Sequence, residues 1–351
     1  MKKVGIVTVY GEQNFGNKLQ NYALIQIYKE LGFDPVTLQV RQSALKLSSR
    51  QKAKNVIKAM MALTPTKSPH AQYYRREQSF RAFSQKYLNL SEAFYTDNVN
   101  KAFLDSFDIL SVGSDQVWND VDFDINDVKY FSLANVKGPK KISFAASIGK
   151  SDFQEKYKKS FVKGLSDFDF ISCRENIAVE YLSEILKRKC YLIMDPTLFL
   201  SADQWEAIEK RPEWLDNKRY CLLYFLGGYD KTLQNNLPDN ILSIDLMLVE
   251  DTAYVSSPEE FIYLIHHAVS VFTDSFHACV FSMIFHKNFT VFNRKNAMSN
   301  MNSRIDTLFQ EFSVEGKIGK LICEEDYQGF KRTAEQKKST YENLIMSHIE
   351  K

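Results

Sequence analysis

The stretch KVGIVTVYGEQNFGNKLQNYALIQIYKELGFDPVTLQV, residues 3–40, decides the fold class of this chain. It opens with an apolar, β-branched run over residues 3–10, which is typical of a buried strand. After a polar loop, apolar residues recur at four-residue spacing on one face of a helix that starts near Lys18 and ends at Gly32. The residues of that face are Leu19, Ala23, Ile27 and Leu31. A second apolar run at 36–40 completes a strand–helix–strand unit, which predicts a parallel sheet with a right-handed crossover.

The alternation of strands and helices continues through the chain in two series. Further strands are predicted at 107–113, 141–147, 168–173 and 190–194, and then at 220–227, 242–248, 269–273 and 289–292. A polar stretch at 209–218 separates the two series, and a chain of 351 residues is too long for one comfortable core. We therefore predict an α/β protein with two parallel-sheet domains, residues 1–208 and 218–332, and a final helix within 333–351 that packs back on the body.

Composition and charge exclude several classes of protein. The 45 basic and 43 acidic residues leave a formal net charge of +2, which argues against a dedicated nucleic-acid binder. The five cysteines are scattered without a C-x-x-C pair, which fits reduced thiols and predicts neither a disulfide framework nor a zinc site. The N-terminus has no signal-peptide features, and no apolar stretch approaches the ~20 residues that cross a bilayer. We expect a cytoplasmic protein.

Two parallel sheets in tandem predict a ligand cleft lined by the carboxyl ends of strands, so polar residues that follow strands are the site candidates. The first group is Asn14, Gly16 and Asn17, at the start of the first helix. A helix N-terminus offers free N–H groups to an anion, and Gly16 allows a tight turn there. The two asparagines are equally consistent with ordinary helix caps.

The second group follows the predicted strand 107–113. Its polar members are Ser114, Asp115 and Gln116, and Trp118 comes directly after them. Polar side chains beside one aromatic ring suit a saccharide, which needs hydrogen bonds to its hydroxyls and an apolar surface for its ring. The alternative is a helix cap by Ser114 or Asp115, with Trp118 in the core.

Two further groups follow later strands. Arg174 comes after strand 168–173, where its planar guanidinium suits a carboxylate or phosphate, although a surface pair with Glu175 is the simpler interpretation. Ser275 and His277 join strand 269–273 to an apolar helix. We expect Ser275 to cap that helix and His277 to lie in its first turn, near the cleft, where an imidazole can serve as an acid–base group. A structural histidine is the alternative.

A basic segment at 41–76 interrupts the first series. Between residues 35 and 76 there is no acidic residue, and nine basic side chains alternate with apolar ones. Such a pattern is typical of an amphipathic hairpin that touches anionic lipid or a pyrophosphate-linked acceptor. A solvated helical insertion is the alternative.

Taken together, these segments resemble the polysaccharide pyruvyltransferase family, in the family's order and over nearly the whole chain. The matching stretches are residues 14–24, 107–109, 112–119, 142–149, 171–175, 195–198, 273–277 and 302–306. The resemblance implies a fold similar to the B-type glycosyltransferases, with two Rossmann-like domains facing a cleft, the N-terminal one on the acceptor side and the C-terminal one on the donor side. It implies phosphoenolpyruvate as co-substrate and a saccharide, often lipid-linked, as acceptor. It also implies a role in bacterial surface-glycan synthesis. The basic segment 41–76 adds the expectation of peripheral contact at the inner face of the plasma membrane.

The resemblance also assigns roles to the candidates. His277 becomes the acid–base group, Asp115 the base for an acceptor hydroxyl, and Arg174 the anchor for donor anions; neither a metal nor a cofactor is required. One departure is that better-understood members carry Arg-Leu-His where this chain has Ser275, Phe276 and His277. We therefore expect the donor's anionic groups to need Arg174 together with Arg294 and Lys295, which follow the next strand, with Ser275 as a further donor-binding residue. The alternatives are a nucleotide-sugar glycosyltransferase of similar fold and a non-catalytic saccharide-binding protein of a glycan assembly pathway.

Overall fold

The computed structural model of the chain describes residues 1–11, 13–42, 68–134, 136–230, 241–295 and 302–350, with the single positions 56, 60, 233 and 237. Its strands are β1 (Lys3–Val7), β2 (Asp34–Thr37), β3 (Val40–Arg41), β4 (Phe94–Tyr95), β5 (Ile109–Gly113), β6 (Lys140–Phe144), β7 (Ser172–Cys173), β8 (Tyr191–Leu192), β9 (Tyr220–Tyr224), β10 (Leu242–Asp245), β11 (Ser270–Thr273), β12 (Asn288–Val291) and β13 (Leu321–Ile322). Its α-helices are α1 (Phe15–Glu30), α2 (Pro69–Tyr87), α3 (Lys101–Leu104), α4 (Ile125–Phe131), α5 (Glu155–Leu165), α6 (Asn176–Leu186), α7 (Ala202–Glu206), α8 (Pro258–His266), α9 (Phe276–Ile284), α10 (Asn302–Glu311) and α11 (Phe330–Ile349).

Two sheets, both built mainly from parallel strands, confirm the α/β class. The first has the order β2–β1–β5–β6, and all of its pairs are parallel. The second has the order β10–β9–β11–β12–β13, in which only the β12–β13 pair is antiparallel. The short edge strand β13 was not predicted, because two residues are too few to show a period. The sequence-based domain boundaries stay a prediction.

The predicted strand 168–173 is mostly irregular. Only its last two residues form β7, which pairs in parallel with β8. Single bridges, Ile142 to Phe170 and Ala146 to Cys173, connect this region to β6. The consequence for the site is that the segments leading to residues 174 and 195 run side by side, at the same edge as the ends of β1 and β5.

Helix α1 joins the two halves of the molecule, the first built around the sheet β2–β1–β5–β6 and the second around the sheet β10–β9–β11–β12–β13. The Phe15 ring stacks on Phe261 of α8 with centroids 4.4 Å apart, and it packs against Tyr224 of β9 at 5.5 Å. The largest buried apolar cluster accordingly contains residues from both sheets. The start of α1 is therefore held between the halves by aromatic packing, which is what places the adjacent polar residues in the cleft.

Helix α11 returns across the first half of the chain. His348 packs on Phe170 with ring centroids 4.7 Å apart, and Lys338 forms an ion pair with Glu30 at 2.9 Å. Ile345 and Ile349 are almost fully buried. In the described parts of the chain, no helix is both long enough and apolar enough to span a bilayer.

The basic segment 41–76 lies largely outside the described residues. At the described end of the segment, Arg76 in α2 is only 1% exposed, so this residue does not face lipid. The Arg76 guanidinium donates to the carbonyls of Leu246, Tyr254 and Gln13 and lies over the Phe15 ring. Arg76 thus ties α2 to the second half of the molecule and faces no membrane.

Candidate functional site

Two helix N-termini meet in the cleft between the sheets. Helix α1 begins after β1 and α9 begins after β11, so both direct the positive ends of their dipoles into the same space. Gly16, in the first turn of α1, lies directly against the imidazole of His277, in the first turn of α9: a Cβ atom added at Gly16 would overlap that ring. The absence of a side chain at residue 16 is what allows the histidine to approach the helix backbone.

Arg174 lies at the centre of the site and is 3% exposed. Its Nη1 donates to Asp195 at 2.6 Å and its Nη2 to Asp115 at 3.2 Å, while its Nε lies 3.9 Å from Glu175. Burial would lower the pKa of Arg174, but the surrounding carboxylates raise it, so the guanidinium keeps its charge. Because Arg174 is already paired with these carboxylates, it positions them, and a donor anion would have to compete for it.

Asp195 connects the arginine to the histidine. Its Oδ1 accepts the N–H and the hydroxyl of Thr197, at 3.0 and 2.7 Å. Its Oδ2 accepts from Arg174 and from the Ser114 hydroxyl, and it lies 3.6 Å from Nε2 of His277. Burial would raise the pKa of Asp195, but the charges of His277 and Arg174 hold it well below its usual range. The His277 contact is just beyond hydrogen-bond distance, and within the described residues Nε2 of His277 has no hydrogen-bond partner.

Asp115 is the most accessible acid of the polar cluster, with 16% of its side chain exposed. The members of this cluster are Asp115, Arg174, Glu175, Asp195 and His277. Its backbone is in the left-handed region, with φ at 67°, which aspartate tolerates better than most residues. The side-chain amide of Asn17 donates to Asp115 at 3.2 Å and to the carbonyl of Val9. Burial would raise the pKa of Asp115, but Arg174 and His277 lower it, so this carboxylate is ionised at neutral pH.

Glu175 and Arg304 form the inner side of the cluster. Glu175 accepts from the Ser147 hydroxyl and lies 4.0 Å from Nε of Arg304, a residue of α10. Burial raises the pKa of Glu175. Burial, together with the charge of Arg174, lowers the pKa of Arg304 to about 10. Within the described residues the buried Nε of Arg304 has no hydrogen-bond partner.

The second half contributes further polar residues near the start of α9. Nη2 of Arg294 donates to the carbonyl of Asp274 at 3.2 Å, and its Nε lies 3.5 Å from the carboxylate of that residue. Lys295 is exposed. Ser275 is buried, but its hydroxyl does not cap α9; its backbone N–H instead donates to the Thr273 hydroxyl at 2.9 Å. The predicted capping role of Ser275 is therefore wrong.

Three predicted site residues stand apart from the cluster. Asn14 is exposed and caps α1 by accepting the N–H of Asn17 at 3.3 Å. Gln116 is half-buried in the loop after Asp115. Trp118 is fully buried, and its indole donates to the Phe131 carbonyl at 2.9 Å, so it cannot offer a face to an acceptor sugar. Asn14 is therefore a helix cap and Trp118 a core residue, as the alternative interpretations of these two residues predicted.

Asp195 and Arg304 were missed as site residues. Asp195 directly follows the predicted strand 190–194, the same signal that singled out the other candidates. Both residues also lie in stretches that carry the family resemblance, 195–198 and 302–306. Arg304 follows no strand, and its place beside the site shows through its contact with Glu175. A cavity of about 20 Å³ beside Arg174, Asp195 and Arg304 has room for one water molecule.

The fold and the cluster together define an α/β protein with a largely buried group of ionisable side chains between two mainly parallel sheets. Its imidazole, ionised carboxylates and cations provide the groups that proton transfer and anion binding require. The chain matches the profile of the family described as polysaccharide pyruvyl transferase over residues 14–296. The chain belongs to that family.

Other comparisons are more distant. No curated protein matches the sequence. Among solved structures, the chain aligns with a UDP-GlcNAc 2-epimerase from Methanocaldococcus jannaschii at 11% identity and a TM-score of 0.48, covering 97% of this chain and 100% of that one. It aligns with the wall teichoic acid polymerase TagF at 10% identity and a TM-score of 0.45, covering 99% and 89%. An α-glucosyltransferase aligns at 8% identity and a TM-score of 0.46, covering 99% of each chain.

Proposed function

We propose that this protein transfers the pyruvyl unit of phosphoenolpyruvate to two hydroxyls of a saccharide, forming a ketal and releasing phosphate. Membership of the family supports the reaction class. The observation that carries the proposal is His277, which lies against Gly16 on one side and 3.6 Å from the ionised Asp195 on another, where two sheets meet.

The reaction requires an acid, a base and anion contacts. Protonation of C3 of the enol phosphate gives C2 positive character, and the first sugar hydroxyl adds there. Phosphate then leaves with its bonding electrons, and the second hydroxyl closes the ketal. Each hydroxyl loses its proton as its new C–O bond forms, so a group that alternates between acid and base is useful.

His277 is the acid–base group in this proposal, with the carboxylate of Asp195 3.6 Å from its Nε2. Asp115 takes a proton from an acceptor hydroxyl, because it is ionised and the most accessible carboxylate of the cluster. Arg174 positions Asp115 and Asp195. The donor's carboxylate and phosphate are bound by cations that follow β12, while the almost fully buried Arg304, beside a cavity with room for one water, contributes its charge and no direct contact.

Those cations are Arg294 and Lys295. Arg294 is 17% exposed at its side chain and Lys295 is exposed, so both can be reached from the cleft. They stand in for the arginine that better-understood family members carry at the position of Ser275. A saccharide that reaches Asp115 from the exposed side of the cluster needs no space in the small cavity behind Arg174.

The test is phosphate release by the purified chain from phosphoenolpyruvate, with and without a panel of saccharide and lipid-linked saccharide acceptors. We expect release only when an acceptor is present, with the acceptor gaining the mass of one pyruvyl ketal. Parallel reactions supply nucleotide sugars as donors. Nucleoside diphosphate release with no phosphate from phosphoenolpyruvate would instead identify a glycosyltransferase, and saccharide binding with neither product a non-catalytic protein.

A further inference from the structure

A second cluster of polar side chains lies away from the candidate active site. Helix α8 ends in His266, which is followed by His267, and Glu209 lies in the chain between α7 and β9. Oε2 of Glu209 is 2.9 Å from Nδ1 of His266, and its Oε1 is 3.3 Å from Nε2 of His267. The proposed pyruvyl transfer uses none of these residues.

The cluster lies at the opposite end of α9 from His277. Phe285, directly after α9, stacks on His266 with ring centroids 4.5 Å apart. Helix α9 has nine residues, which corresponds to about 13 Å at 1.5 Å per residue. The two clusters are therefore separated by the length of that helix, and either can be altered without touching the other.

We propose that Glu209, His266 and His267 bind one divalent metal ion, for which Zn²⁺ is the best match. Ligand nitrogen and oxygen atoms lie about 2.0–2.1 Å from Zn²⁺, so atoms at tetrahedral corners are about 3.3 Å apart. One ligand atom from each of the three residues lies within 4.8 Å of the others. Glu209 contacts the two imidazoles through different carboxylate oxygens, at 2.9 and 3.3 Å. Small side-chain adjustments suffice to bring all three atoms onto one ion.

The surroundings of the histidines favour binding. The His267 ring packs on Tyr263 with centroids 4.1 Å apart, and His266 is held by Phe285, so both imidazoles are pre-positioned. Oε1 of Glu206 lies 3.8 Å from Nε2 of His266. Metal-bound histidines commonly direct their second ring nitrogen at such a carboxylate, which fixes the ring and raises its basicity.

The position of the cluster also favours a cation. Both histidines lie at the C-terminal end of α8, where the helix dipole is negative. Imidazole with carboxylate is a ligand set that suits zinc among the divalent ions, while magnesium and calcium prefer oxygen ligands alone. Three protein ligands leave a fourth position, and the 43% exposure of the His267 side chain opens that position to solvent. The ion would tie the segment around residue 209 to the end of α8.

The competing explanation is that Glu209 merely accepts hydrogen bonds from two imidazoles. Metal titration of the tag-free full-length chain distinguishes the two, with Co²⁺ as the spectroscopic probe and Zn²⁺ as its competitor. We expect one equivalent of Co²⁺ to give the visible absorption of a tetrahedral site, and Zn²⁺ to abolish it. Glu209→Gln and His267→Gln should each weaken Co²⁺ binding at least tenfold, and Glu206→Gln about 10–100-fold.

The matched control is His286→Gln. His286 also pairs with a surface glutamate, Glu324 at 3.2 Å, but it belongs to no described group of three metal ligands. We expect this variant to bind Co²⁺ like the wild type. A melting temperature that rises with Zn²⁺ in wild type and His286→Gln, but not in Glu209→Gln, gives a second readout. The proposal is overturned if Glu209→Gln binds Co²⁺ as tightly as the wild type does. It is also overturned if His286→Gln loses as much Co²⁺ affinity as Glu209→Gln.

Discussion

At the scale of single residues, the candidate site is governed by how Arg174 is shared among carboxylates. A buried guanidinium is stable only when its charge is compensated, and Asp115, Asp195 and Glu175 provide that compensation. The same contacts keep Asp115 and Asp195 ionised in a buried environment. Arg174 therefore influences the chemistry mainly through the two aspartates.

His277→Asn tests whether the histidine is an acid–base group. Asparagine keeps a similar size and some hydrogen bonding, but it has no group that titrates near neutrality. We expect turnover to fall by about 10²–10⁴-fold with little change in melting temperature. Acceptor-dependent phosphate release and thermal melts measure both. A variant that melts far below wild type, while its folded fraction keeps full turnover, would show that His277 is a core residue.

Gly16→Ala tests the contact between the two helix N-termini. A methyl group at residue 16 would overlap the imidazole, so we expect His277 to be displaced and turnover to fall towards that of His277→Asn. Gly11→Ala, in the loop that precedes α1, is the matched control, because a Cβ there has its nearest neighbour, Oδ1 of Asn17, at 3.8 Å. Equal activity of the two variants would contradict the assigned role of Gly16.

Asp195→Asn tests the lowered pKa of this carboxyl. The pKa of Asp195 is lower in the folded chain than its value of about 3.9 in the unfolded chain. The ionised carboxylate therefore stabilises the fold at pH values above about 3.9, and this stabilisation is lost as the pH falls below that value. We expect the urea concentration at the unfolding midpoint of the wild type to decrease once the pH drops below about 4. Asp195→Asn should be less stable than the wild type at neutral pH, and its midpoint should depend less on pH. The exposed Asp122→Asn should follow the wild type; an unchanged profile in Asp195→Asn would refute the assignment.

At the scale of elements, α2 belongs to the first half of the sequence but is anchored to the second. Arg76 makes this connection through backbone carbonyls of the loops that follow β10. Helix α2 therefore limits relative movement of the two sheets at the side of the cleft where α1 begins.

Arg76→Met tests that anchor. The substitution leaves the buried carbonyls of Leu246 and Tyr254 without their donor. We expect a loss of about 2–6 kcal/mol in the free energy of unfolding, from about 1–3 kcal/mol for each unsatisfied group. Arg75→Met, at the neighbouring half-buried position, should change stability by about 0.5–1 kcal/mol. Urea denaturation measures both. Similar losses in the two variants would mean that Arg76 has no special role.

At the scale of the whole molecule, association with a membrane stays a prediction that rests on the sequence of 41–76. The full chain should sediment with anionic vesicles at low salt and much less at high salt, because exposed charges are screened. Replacing Lys52, Lys54 and Lys58 by Gln should weaken binding. The control replaces the exposed Lys156, Lys159 and Lys163 of α5, which changes net charge equally. No vesicle binding at low salt, or equal loss in both variants, would rule out a specific lipid contact.

The sequence by itself determined the α/β class, the direction of the strands and the positions where site residues follow them. It could do so because strand and helix periods are properties of neighbouring residues, and because polar residues after parallel strands reach one edge of a sheet. It also carried the ordered motifs of the family. These features placed Asp115, Arg174 and His277 near one another without any knowledge of their contacts.

Only the tertiary structure decided which partners these residues have. The pairing of Arg174 with Asp195, the burial of Trp118 and Arg76, and the approach of Glu209 to His266 all depend on how distant segments pack. Glu209 and His266 are 57 residues apart, and Arg76 and Leu246 are 170 apart, so no local pattern links them. Burial and charge pairing are set by the packing of whole elements, and they determine which polar residues are structural and which are free to act on a substrate.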